Sequence, residues 1–107
     1  MKFVTHNDKD INANGTSYQG EIDIDFATLK EKFGEPSNGD EYKVDAEWSL
    51  EFEDGTIATI YNYKDGKNYN GESGTPTEEI REWHIGGKNM KSVSLVIQIL
   101  DKACHIH

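Results

Sequence analysis

The chain has 107 residues, 35% of them hydrophobic, and a formal net charge of −9, with a mean hydropathy of −0.78. That length predicts a single domain over residues 1–107 with a thin core, and no stretch approaches the roughly 18 consecutive apolar residues of a membrane span. The charge is lopsided: residues 1–55 carry 14 acidic and 5 basic side chains, residues 56–107 carry 6 and 6, which argues against direct binding to bare nucleic acid or an anionic bilayer.

Two Trp, five Tyr and four Phe offset the shortage of aliphatic residues, because each aromatic buries a large area. Cys104 is the only cysteine, so no intramolecular disulfide forms. The N-terminal "MKFVTHNDKD" has no apolar run of signal-peptide length. Both features predict a soluble cytosolic protein.

In chain order, "KFVTH" predicts a short strand, and "NDKDINANGT" is rich in turn formers. "SYQGEIDID" alternates weakly and predicts an edge strand whose acids discourage further pairing. Asp25 stands at an N-cap position. Phe26, Leu29 and Phe33 follow at near-helical spacing, and Gly34 with Pro36 ends the run, so a helix is predicted over 26–33. "YKVDAEWSLEFEDGTIATIYNY" is two alternating runs around Asp54-Gly55, the dipeptide of a two-residue type I′ hairpin turn. That turn pairs Phe52 with Ile57, Leu50 with Thr59, Trp48 with Tyr61 and Ala46 with Tyr63, all on the core face. It leaves Glu47, Ser49, Glu51, Ala58, Ile60 and Asn62 on the outer face. Tyr61 is accordingly assigned to the core, and Tyr63 to the strand end, where its hydroxyl reaches solvent or a ligand.

Residues 64–77 form a polar, glycine-rich connection longer than the usual 4–6 residues, with "PTEEI" starting a short helical turn. "REWHI" predicts a strand with Trp83 and Ile85 inward and His84 outward, ended by Gly86-Gly87. Asn89 then caps "MKSVSLVIQILDKA", whose Met90, Val93, Val96, Ile97, Leu100 and Ala103 form an amphipathic stripe. Its Val, Ile and Ser lower helix propensity, so a strand is the alternative there. The predicted fold class is α+β: a small antiparallel sheet built around a central hairpin at about 42–63, with one or two helices on one face.

Catalytic signatures are weak. His6, His84, His105 and His107 make no i, i+4 zinc pair and there is no cysteine pair. No serine sits in GxSxG, and "GGK" at 86–88 lacks the glycine spacing of a phosphate loop. No metal, cofactor or catalytic set is predicted, and a non-enzymatic role is expected. Two candidate binding elements remain. Glu47 and Glu51 make an acidic outer hairpin face, where the bland reading is solvation alone. Tyr63, Lys64, Lys67, Tyr69, Arg81, His84 and Lys88 bracket the long connection and the Gly86-Gly87 turn. At that turn, backbone N–H groups before a helix would favour an anion, with Tyr69 or His84 against a base.

The segment "FGEP…DAEWSLEFEDGTIATIYNYKDGKNYNG" followed by "EWHIGG" resembles a family of small accessory proteins encoded by tailed phages, over residues of about 26–88. The resemblance implies a protein made in the host bacterial cytoplasm that disarms host defence, by blocking an immune nuclease or by sequestering its signal. The leading expectation is a binding protein that inhibits a nucleic-acid-handling defence factor, in the manner of an anti-CRISPR, through its acidic surface. The alternative is a sponge for a nucleotide second messenger at the 64–88 loop and turn.

Overall fold

Among the described residues, alternation, capping and turn chemistry assemble into five strands and two helices: β1 (Phe3–Thr5), β2 (Ser17–Asp23), α1 (Phe26–Phe33), β3 (Glu47–Phe52), β4 (Ile57–Tyr61), β5 (Glu82–Gly87) and α2 (Lys91–Cys104). Short 3-10 turns at Gly71–Ser73 and Thr77–Glu79 lie between β4 and β5. The computed structural model describes residues 2–5, 17–37, 46–63 and 70–104, with side chains described up to residue 100. Lys64, Lys67 and Tyr69, in the first part (64–69) of the predicted 64–77 connection, lie outside the described residues, as do His6, His105 and His107.

The strands form one antiparallel sheet in the order β1-β3-β4-β5-β2. This is the α+β fold that the sequence predicts, and β2 is at an edge as expected. One core fills the face covered by the helices. It joins Trp48, Leu50, Phe52, Ala58, Ile60, Trp83 and Ile85 of the sheet to Leu29 and Phe33 of α1 and to Val93, Leu95, Val96 and Leu100 of α2.

The two tryptophans position α1. Both are fully buried, and their rings meet edge to face at 5.3 Å, with Phe26 against each. A buried indole needs an acceptor for its N–H. Trp83 Nε1 donates to Ile24 O at 3.0 Å, just before α1, and Trp48 Nε1 donates to Gly34 O at 2.7 Å, just after it. The helix is therefore held at both ends by the sheet beneath it. At its start the Asp25 carboxylate accepts from the Thr28 hydroxyl at 2.5 Å, and that bond holds its carboxyl below the usual carboxylate range.

The start of α2 is held in a similar way. Asn89 Oδ1 accepts from Lys91 N–H at 2.9 Å, as an N-cap does. Ser92 Oγ donates to Ile57 O at 2.8 Å, and Lys91 makes an ion pair with Asp54 of the hairpin loop. The predicted apolar stripe is rotated in the structure. Met90 is 59% exposed and Ile97 38%, whereas Leu95, left out of the stripe, is buried.

The hairpin forms, but its register differs from the predicted one by a residue. Trp48 pairs with Ile60, Leu50 with Ala58 and Glu47 with Tyr61. Phe52 N–H donates to Thr56 O and Gly55 N–H donates to Phe52 O, both at 2.9 Å. The loop is therefore three residues, Glu53-Asp54-Gly55, with Gly55 at φ 89. This is a three-residue hairpin loop closed by a glycine in the left-handed region, the other common way to use Asp-Gly. A one-residue slip exchanges the faces of a whole strand. Ala58, Ile60 and Asn62 face the core, and Ile57, Thr59 and Tyr61 face outward. Asn62 is fully buried and its Oδ1 accepts from Ala46 N–H at 3.1 Å.

Strand β5 also departs from expectation, because Gly86-Gly87 continues it rather than ending it. Gly86 pairs with Thr59 on one side and Tyr18 on the other, and Gly87 with Ala58 and Ser17. The need for glycine there is close approach. A Cβ on Gly86 would lie 2.5 Å from Thr59 Oγ1, and one on Gly87 would lie 2.5 Å from Ser92 Cβ.

Candidate functional site on the open sheet face

Both helices pack on the core face, so no described helix covers the other. The corrected register places a row of side chains straight across four strands on that outer face, which is open as far as the described helices go. Glu47 pairs with Tyr61, Tyr61 with His84, and His84 with Glu21. Directly opposed residues on one face are close enough to interact. The order across the sheet is thus carboxylate, phenol, imidazole, carboxylate.

Tyr18 joins this row through an irregularity in β2. The register shifts between Tyr18, paired with Gly86, and Gly20, paired with Ile85. Gln19 is the extra residue of a bulge, and its side-chain amide donates to Gly87 O at 3.0 Å. A bulge re-aims the side chains beside it. Without it, Tyr18 and Glu21 would fall on opposite faces. With it, both face His84.

His84 is the hub of the cluster. Its ring lies 5.0 Å from that of Tyr18 and 5.6 Å from that of Tyr61, both edge-on, and 5.7 Å from that of Tyr63 at a shallow tilt. Its Nε2 is 3.5 Å from Glu21 Oε1. These five residues line a shallow, open depression. Gly86 has no side chain to fill the neighbouring space, and Tyr61 Cε1 would be 3.5 Å from a Cβ there. Partial desolvation, with Glu21 hydrogen-bonded and charged beside it, pushes the Tyr18 phenol above its ordinary value. Burial, then the Glu47 charge, then the other two phenols do the same for Tyr61.

Of the residues singled out from the sequence, Tyr63, His84 and Glu47 come together here. Glu51 is on the same face but nearer the hairpin loop, opposite Val4 and Ile57. Arg81 is outside the depression, with its Nε 3.0 Å from Asp23 Oδ1 in an exposed ion pair. Lys88 lies at the other end of β5, beside the 54–57 loop and Asn89. Gly86 and Gly87 are enclosed by strands on both sides, so the turn that would have presented free N–H groups to an anion is not there.

Tyr18, Tyr61 and Glu21 escaped the sequence reading. The outward parity of His84 was the available clue, and a three-residue reading of the Asp-Gly loop would have added Tyr61 to it. Among the described residues no group of three or more His, Cys, Asp or Glu is placed to hold a metal ion, and no helix is long and apolar enough to cross a membrane. No protein-family model matches the chain, and no curated protein matches it.

Proposed function

We propose that this is a phage-encoded, non-catalytic binding protein that inhibits a nucleic-acid-handling defence factor in the host cytoplasm. In this reading it lays its open sheet face into a basic groove meant for nucleic acid. The observation that carries the reading is the Glu47–Tyr61–His84–Glu21 row, flanked by Tyr18 and Tyr63, on a face that no described helix covers. Aromatic centres with polar rims are the composition of protein interfaces, and tyrosine is prominent among residues that dominate their energy. The rim here is acidic, with Asp23, Glu51 and Glu82 on the same face as Glu21 and Glu47, and it complements a basic partner. The resemblance of residues 26–88 to small phage proteins supports the same reading.

A nucleotide signal fits this face less well. Carboxylates at both ends of the row repel phosphates, and the Gly-Gly turn that favoured an anion is part of a strand. Contact suits the cluster better than proton transfer, because the His84–Glu21 approach is long at 3.5 Å and the Glu21 side chain is 54% exposed.

The test is an inhibition assay with a purified RNA-guided host nuclease. The wild-type protein is expected to suppress cleavage, and added salt to relieve the suppression. Replacing both Glu47 and Glu51 with Gln is expected to weaken it. Suppression that is indifferent to salt and to both substitutions, or absent altogether from host defence nucleases, would count against the proposal.

A further inference from the structure

We infer that the depression around His84 is a guanidinium subsite, the place where an arginine side chain of the partner inserts. This rests on the reading of the open face as a docking surface and specifies its central contact. Three phenol rings stand within 5.7 Å of one imidazole, centroid to centroid, and ring faces attract cations. Carboxylates close the row at both ends, Glu47 opposite Tyr61 and Glu21 opposite His84. Tyr18 is 52% exposed and Tyr63 41%, so both rings have surface to offer a ligand.

The chemistry of the walls selects among occupants. A phosphate is repelled by the carboxylates. An apolar side chain gains the rings but makes no use of the Glu21 carboxylate in the wall. An ammonium matches the charge but not the flat ring surfaces, and it holds its water strongly. A guanidinium is planar, weakly hydrated, and presents forked donors that match a carboxylate such as Glu21 while its face lies on a phenol.

The experiment is an NMR titration of the full chain, labelled at its aromatic rings, with N-acetyl-arginine amide as the probe. N-acetyl-lysine amide and adenosine monophosphate serve as comparisons. The ring signals of Tyr18, Tyr61, Tyr63 and His84 are expected to shift saturably with the arginine amide, less with the lysine amide and not with the nucleotide. Tyr18→Ala and Tyr63→Ala are each expected to weaken binding about two- to fivefold, the usual worth of an exposed cation–π contact, while Tyr63→Phe retains it. The indole N–H signals of Trp48 and Trp83, hydrogen-bonded in the core, report that each variant is folded.

Rings that ignore the arginine amide, or that prefer the nucleotide, overturn the subsite. The two proposals separate cleanly. Arginine-responsive rings with nuclease inhibition untouched by the Glu47 and Glu51 substitutions would sink the docking reading alone. Inhibition that survives Tyr18→Ala combined with Tyr63→Ala would sink the subsite alone.

Discussion

Gly87 sits where β5 passes under the first turn of α2, and its missing side chain is what lets Ser92 reach Ile57 O. A Cβ at Gly87 would meet Ser92 Cβ at 2.5 Å and Ile57 O at 3.3 Å, so either the helix or the strand must move. Gly87→Ala is expected to cost about 1–3 kcal/mol, the range of an overpacked core, read from the urea midpoint; an unchanged midpoint would mean that α2 is free to lift. Asp54 makes a second link to the same turn. Its ion pair with Lys91, and the bond its Oδ1 accepts from Thr56 N–H at 3.0 Å, hold the carboxyl well below the usual carboxylate range, with Lys91 the larger cause. A depressed folded pKa adds stability that is complete above the ordinary carboxylate value of about 3.9 and is lost as pH falls through the folded value. Asp54→Asn keeps an acceptor for Thr56 and removes the charge. The stability gap between wild type and this variant is expected to be level near neutral pH and to close below about pH 4. A gap that persists in acid would assign the effect to packing rather than to the ion pair.

Each secondary-structure element carries a pattern, and its neighbours decide how that pattern is used. In α2 the three- and four-residue spacing marks a helix correctly, yet the stripe that packs runs through Ser92, Val93, Val96 and Leu100, with Leu95 at its border. The sheet surface that α2 meets fixes this rotation, since Ser92 must reach Ile57 and Val93 must lie on Gly20, 3.3 Å from where its Cβ would be. Leu100, 5% exposed, and Ile97, 38% exposed, are therefore unequal. Leu100→Ala is expected to cost about 2–5 kcal/mol, whereas Ile97→Gln should stay within about 0.5 kcal/mol. Equal losses in thermal or urea unfolding would put the stripe back where the spacing alone suggests. The hairpin teaches the same lesson for strands. In "IATIYNY" the odd positions hold Ile, Thr and Tyr and the even ones Ala, Ile and Asn, so neither set is clearly the apolar one. The loop length decides, and Asp-Gly is compatible with both lengths.

Across the whole molecule, charge acts on folding and on binding with opposite signs. A net charge of −9 on 107 residues repels itself in the compact state. The ion pairs Lys30–Glu35 and Arg81–Asp23 are exposed, and such pairs recover little. Raising the salt concentration from low to physiological is expected to raise the Tm by screening the repulsion, while it weakens the proposed docking onto a basic partner. A Tm that falls with salt would show that attractive pairs outweigh the repulsion in this fold. The same carboxylates that repel one another in the isolated protein are the ones that the proposed docking sets against a basic surface.

The sequence by itself determined the α+β class, helix α1 with both its ends, the hairpin as an element, the outward direction of His84 and the acidity of the first half. These are local matters, set by spacing, caps, turn residues and composition. Only the tertiary structure decided the hairpin register, the uninterrupted course of β5 through Gly86 and Gly87, and the meeting of Tyr18, Tyr61 and His84. Those depend on one loop residue and one bulge, each of which moves every side chain beyond it to the other face. Neither leaves a periodic mark in the chain, because each is selected by the fit of distant segments against one another.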